Sequence, residues 1–243
     1  MKAYEQSTYG DRIAEIYDDL YSKYDPATVD LLTSLAGSRV ALELGIGTGR
    51  IALPLKERGI IVMGIDTSPA MVSKLKAKPG GAEIEVFMHS FSDFHLDQRF
   101  QLIYVVFNTF FNLLTQEEQV RCFRSVSRHL SPEGSFVIEA FVPDLGRFTD
   151  HQAVRVVNLG EDEVQLETSQ VDPVAQQVTA QHLLLSKDGT RMFPVRLRYA
   201  WPSELDLMAQ IAGLSLRSRW GSWSKEEFTK DSKKHISVYG HTG

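Results

Sequence analysis

Leu42-Glu43-Leu44-Gly45-Ile46-Gly47-Thr48-Gly49-Arg50 is the stretch on which the reading of this chain turns. Arg39-Val40-Ala41-Leu42 leads into it, a short apolar run of the kind that forms a buried strand. Ile51 to Gly59 follows, and reads as a helix closed by glycine. Strand, tight glycine turn and helix make a nucleotide-binding βα unit. The glycines reach positive φ and let a ligand press against the backbone, while the helix N-terminus adds free N–H groups and a partial positive charge.

Gly45, Gly47 and Gly49 are spaced G-x-G-x-G. The dinucleotide fingerprint puts its third glycine where Arg50 stands. Glu43 places a carboxylate at the strand end, two residues before Gly45. That charge repels a pyrophosphate and suits an ammonium group, as in an amino-acid tail. The pattern favours S-adenosylmethionine over a nicotinamide dinucleotide. A second acid supports it: the run Ile60 to Ile65 reads as the next strand and ends at Asp66, 21 residues after Gly45. In a βαβ unit an acid at that distance accepts hydrogen bonds from a ribose diol. Ser68 before Pro69 reads as the N-cap of the following helix, which leaves Asp66 for the ligand.

With 243 residues, 43% hydrophobic and 23% charged, the chain fits one globular domain with a substantial core. A net charge of −5 argues against nucleic acid as a partner. The single cysteine, Cys122, rules out an internal disulfide and sits in a helical stretch as a packed thiol. No secretory signal or membrane span is apparent, and a cytoplasmic protein is expected. The seven histidines lack partners at metal-ligand spacing, so no metal is expected.

Strand and helix signals alternate from residue 37 to 145, which predicts a doubly wound parallel sheet. Residues 1–36 read as a helical lid, with Ile13, Ile16, Tyr17, Leu20, Tyr21 and Tyr24 on one face and a tyrosine hydroxyl at the ligand. Between 152 and 200 the rhythm changes to four strand-like runs separated by turn signals, an antiparallel platform inserted in the α/β unit. Residues 201–243 return to a helix and two last strands of the main sheet.

These motifs resemble the class I S-adenosylmethionine-dependent methyltransferases. The resemblance covers about residues 38 to 142 and 202 to 240. It rests on the Glu43–Arg50 loop, Gly64-Ile65-Asp66-Thr67-Ser68-Pro69-Ala70-Met71, the fourth strand with Asn108, Leu130 to Phe136, and His235 to Tyr239. It implies a Rossmann-like seven-stranded sheet with its last strand antiparallel. It also implies cofactor contacts from Glu43, Gly45, Gly47, Gly49, Asp66, Thr67 and Met71, with Ser90 and Phe91 at the adenine and Asn108 at the methyl end through its backbone or side chain; Tyr17 of the lid is a further candidate cofactor contact. The product is S-adenosylhomocysteine. Many relatives carry Gly-Asp where this chain has His89-Ser90, and the missing carboxylate is worth about 0.5–1.5 kcal/mol, one hydrogen bond.

Methyl transfer from a sulfonium is an in-line displacement, in which positioning supplies up to ~7–11 kcal/mol. The acceptor is expected to be a nitrogen or oxygen of a small molecule, with Tyr21, Arg198 and Trp201 as candidate contacts. His182 and Tyr17 are the candidate proton-transfer groups. The insertion offers a surface for a homodimer. Two other readings stand beside this one: a non-catalytic binder of the cofactor or its product, and a nicotinamide-dependent oxidoreductase.

Overall fold

The structure is a computed structural model that describes residues 4–5, 7–21, 23–37 and 39–242. It opens with three short helices, α1 (Thr8–Ile13), α2 (Tyr17–Tyr21) and α3 (Pro26–Ala36). The helical lid expected over residues 1–36 falls into these separate pieces, and the break before α3 has a local cause. Asp25 is extended before Pro26 and caps α3, accepting the Ala27 N–H at 2.9 Å. Leu32 and Ala36 of α3 pack into the core. Only α1 and α2 remain as a cover.

A parallel run follows: β1 (Val40–Leu44), α4 (Ala52–Glu57), β2 (Ile61–Asp66), α5 (Pro69–Ala77), β3 (Glu85–Met88), β4 (Phe100–Val105), α6 (Gln116–His129) and β5 (Leu130–Phe141). Thr115 opens α6 with a reciprocal capping box to Glu118. β6 (Gln152–Leu159), β7 (Glu163–Asp172), β8 (Gln177–Ser186) and β9 (Gly189–Arg198) form a separate antiparallel sheet in that order. The chain then returns through α7 (Pro202–Ile211), β10 (Leu214–Trp220) and β11 (Lys234–His241). The main sheet has the order β10-β11-β5-β4-β1-β2-β3, and β11 runs antiparallel to both of its neighbours.

Alternating strand residues fill the two faces of this sheet. Leu42, Leu44, Ile103 and Val105 pack toward Phe123 and Val126 of α6. Ala41, Val62 and Leu102 pack toward Leu32 of α3 and Leu55 of α4. Phe123 is fully buried and meets Phe110, Phe136 and Tyr239 edge-on at 5.4–5.6 Å. Such a residue is worth about 3–5 kcal/mol against alanine. Strand order reverses between β1 and β4, which opens a crevice at their C-terminal ends.

Candidate active site

That crevice is a cavity of about 900 Å³, its open mouth included, within the size range of small-molecule sites. The glycine loop makes its floor. Gly45, Gly47 and Gly49 have φ of 74°, 55° and 79°. A Cβ on Gly45 would overlap the Thr109 methyl, so this loop tolerates only glycine there. The N–H groups of Gly45 and Ile46 both donate to the Ile65 carbonyl, at 2.8 and 3.1 Å, which ties the loop to the end of β2.

Glu43 is 3% exposed and accepts the Tyr104 hydroxyl at 2.9 Å. Burial pushes its pKa up to about 8, against the opposing pull of that bond and of the Arg50 charge. The Arg50 guanidinium lies 3.3 Å from the Phe107 ring centroid and donates to the Tyr17 hydroxyl at 3.1 Å and the Tyr21 carbonyl at 2.9 Å. Asp66 accepts the Gly47 N–H at 2.7 Å and the Ser68 N–H at 2.8 Å; burial still raises its pKa. Across the mouth, Asp18 of α2 accepts from Thr48 at 2.6 Å and pairs with Lys78 at 2.8 Å, and Asp11 of α1 accepts from Ser68 at 2.5 Å. These bonds clamp the helical cover to the loop.

Of the residues singled out from sequence, Glu43, Gly45, Gly47, Asp66, Thr67, Met71, Phe91 and Tyr17 line the cavity. Gly49 stands behind it against Leu75. Others point elsewhere. Ser90 donates to Ser92 at 2.9 Å, and Asn108 turns its side chain to β5, where it accepts the Phe141 N–H at 2.7 Å. Tyr21 and His182 line a second, smaller groove between α2 and the antiparallel sheet. The β7–β8 register sets His182 opposite Glu167, 3.8 Å away, and burial lowers its pKa, so the helical cover separates it from the cavity. Arg198 is 5% exposed and spent on structure: it bonds Glu204 at 2.7 Å and Gln119 and Gln176 at 2.6 Å. Trp201 is exposed at the start of α7 and stacks edge-on with Tyr199.

The walls also hold Tyr4, Tyr9, Arg50, Phe107, Thr109 and Asn112, to which the sequence reading gave no ligand role. The signal available was position: the segment after β4 and the tyrosine-rich start both abut the glycine loop. Phe107 and Asn108 have consecutive positive φ, 55° and 65°, a strained turn at about 1–3 kcal/mol per residue. Glu139 holds it, accepting the Phe107 N–H on its carboxylate at 2.9 Å and the Asn108 N–H on its carbonyl at 3.3 Å. Among the described residues no three His, Cys, Asp or Glu side chains could share a metal ion, and no helix is long and apolar enough to cross a membrane.

A crossover fold with an acid before a glycine loop, a second acid at the end of β2 and a covered cavity above both defines a methyltransferase. The chain belongs to the class I S-adenosylmethionine-dependent methyltransferases, and it is an enzyme of that kind. Residues 41–134 match the family described as a methyltransferase domain. A cypemycin N-terminal methyltransferase from a Streptomyces species is 30% identical over 240 residues, 96% of this chain and 98% of that one. Among solved structures, the CcbJ methyltransferase from Streptomyces caelestis has a TM-score of 0.93 at 39% identity, covering 99% of this chain and 100% of that one. CalS10, an amino pentose methyltransferase from Micromonospora echinaspora solved with S-adenosylmethionine bound, shares the fold at a TM-score of 0.71 and 21% identity, covering 100% and 99% of the two chains. This membership sets aside the oxidoreductase and non-catalytic readings.

The donor set fits S-adenosylmethionine. A buried carboxylate and a guanidinium, Glu43 and Arg50, share one cavity and match the two charges of an amino-acid zwitterion. Among the described residues, nothing on the walls beyond Arg50 and the loop N–H groups is arranged for a pyrophosphate.

Proposed function

We propose that this enzyme methylates the nitrogen of a small-molecule amine. Glu43 and Arg50 hold the amino-acid tail of the cofactor, Asp66 its ribose hydroxyls, and Phe91 its adenine face, with Met71 and Thr67 beside the sugar. When bound, S-adenosylmethionine supplies a methyl group already activated on sulfur. The chain's own contribution is to bind, orient and exclude water.

The observation that carries the choice of nitrogen is the lack of a proton acceptor on the wall. Among the described residues, no histidine lines the cavity. Burial raises the pKa of Tyr17 and Tyr9, so neither phenol ionises near neutrality. Glu43 and Asp66 are engaged at the cofactor end. A hydroxyl acceptor needs a base; a neutral amine needs only alignment of its lone pair. The cypemycin enzyme, whose name places its methyl on an N-terminus, agrees with this reading.

The test is transfer of a trideuterated methyl group from labelled cofactor to matched acceptors, followed by mass spectrometry. Alaninamide and its hydroxyl counterpart lactamide form one such pair. Label on the amines and none on the alcohols supports the reading; label on the alcohols alone rejects it.

The antiparallel sheet carries a second part of the proposal. Val156, Leu166, Leu183 and Met192 face one another across all four strands. On that outer face Val154 is 71% exposed, Val156 60% and Met192 52%. An apolar surface of this kind suits burial against a second copy. Light scattering on Val156→Glu tests the dimer, with a monomer expected for the variant and a dimer for the parent.

A further inference from the structure

The single turn Thr109–Asn112 after β4 divides its residues by chemistry. Phe110 and Phe111 are fully buried and pack edge-on against Phe123 and Phe141. Thr109 and Asn112 are half-buried, and both line the cavity. In a 3₁₀ turn, residues three apart eclipse one another, so these two polar side chains share a face.

Neither has a side-chain hydrogen-bond partner among the described residues. That separates them from most other polar groups on the wall. Thr48 is bonded to Asp18, Ser68 to Asp11, Tyr17 to Arg50, and Tyr4 to the Arg196 N–H. Thr67 also keeps a free hydroxyl, but it belongs to the ribose side, next to Asp66.

The Thr109 methyl packs over Gly45, so this turn borders the loop that holds the cofactor tail. The Glu139 bonds to Phe107 and Asn108 and the Asn108 bond to Phe141 fix it from behind. Polar groups on so rigid a mount need little reorganisation to bind. A 3₁₀ rise sets Asn112 about 6 Å along the turn from Thr109. A carboxamide both donates and accepts, and it carries no charge that would compete with Glu43 for an amine.

We propose that Asn112, with Thr109, reads the acceptor by holding an oxygen that lies two or three bonds from the nucleophilic nitrogen. The acceptor is then an amine bearing a nearby carbonyl or hydroxyl group. This rests on the amine reading of the site. Asn112 is a specificity residue that touches the acceptor and moves no proton.

The experiment titrates the S-adenosylhomocysteine complex with three probes: alaninamide, 1-amino-2-propanol and isopropylamine, which lacks the oxygen. At least one oxygen-bearing probe is expected to bind about tenfold tighter than isopropylamine, the scale of one good hydrogen bond. The alaninamide arm identifies a carbonyl, the aminopropanol arm a hydroxyl. Asn112→Leu brings that preference within about twofold, the near-isosteric Asn112→Asp does so for a carbonyl probe because a carboxylate has no donor, and Thr109→Val, which keeps the methyl over Gly45, reduces it. S-adenosylhomocysteine affinity stays unchanged in all three. No preference in the parent, or a preference that survives Asn112→Leu, overturns the proposal. So does loss of S-adenosylhomocysteine binding in both Asn112 variants, since that puts the residue in the cofactor site. Oxygen-dependent probe binding that leads only to O-methylation instead rejects the amine reading.

Discussion

The Asp66 carboxylate accepts the Gly47 N–H at 2.7 Å, so the acid at the end of β2 fixes the glycine loop as well as facing the cavity. Its other oxygen takes the Ser68 N–H at 2.8 Å. Asp66→Ala therefore removes the proposed ribose contact and loosens the loop together. We expect S-adenosylhomocysteine affinity to fall at least about tenfold by calorimetry, the scale of a hydrogen bond to a charged group. NAD is expected to give no binding heat with either protein.

Glu43 gives the cavity a pH dependence. Its pKa is about 8 in the folded chain against 4.5 ordinarily, so between those values the folded state holds a proton that the unfolded state has lost. Stability from this group is full below the lower value and declines as pH rises through the upper one. The Tm of Glu43→Gln is expected to gain on the parent from pH 5 to pH 8.5 in scanning calorimetry. Pairing with an ammonium requires the ionised carboxylate. Cofactor binding at neutral pH should then release a proton, seen as a binding enthalpy that changes with the buffer.

Arg198 should matter for stability and not for the cofactor. Glu204, Gln119 and Gln176 all depend on it, and Glu204 is held below the usual carboxylate range: burial would raise it, but the bonds from Arg198, Gln176 and Gln116 outweigh that. Breaking a buried pair of this kind costs about 3–5 kcal/mol. Denaturant unfolding of Arg198→Ala should show that loss, while S-adenosylhomocysteine affinity in native buffer stays near the parent value.

Asp18 ties α2 of the helical cover to Thr48 on the glycine loop and to Lys78 after α5. Asp18→Asn weakens both bonds. Stopped-flow fluorescence should show faster S-adenosylhomocysteine release from this variant, by about tenfold if the clamp is worth one charge-assisted bond. An unchanged release rate would mean that the cover does not gate the site.

Local chemistry made most of the scaffold legible. The bounds of α6 follow from Thr115 at the cap and His129 at the end, and the turns Gly160-Glu161-Asp162 and Lys187-Asp188-Gly189 locate the strands of the antiparallel sheet. Glu43, Asp66 and Phe91 were readable because a βαβ unit fixes where strand ends fall. The rest depended on contacts between distant residues. Nothing near Arg198 announces that Gln119, 79 positions away, will bury it. Phe141, 33 positions on, takes the Asn108 side chain, so of the two routes expected for that residue only its backbone remains. His182 faces the cover because strand register sets it beside Glu167 and Phe193, and register is a property of the assembled sheet. Arg50 was read from sequence only as a departure from the dinucleotide pattern; its place over Phe107 needed the fold.

The assignment of Glu43 and Arg50 to the zwitterionic tail is the centre of this account. Its most direct test compares two ligands by calorimetry: S-adenosylhomocysteine, which has the tail, and 5′-methylthioadenosine, which lacks it. Glu43→Gln and Arg50→Met should each weaken the first ligand at least about tenfold and leave the second within about twofold, since a charge-assisted bond is lost only where the tail is present. Equal weakening of both ligands, or no weakening of S-adenosylhomocysteine, would contradict the account.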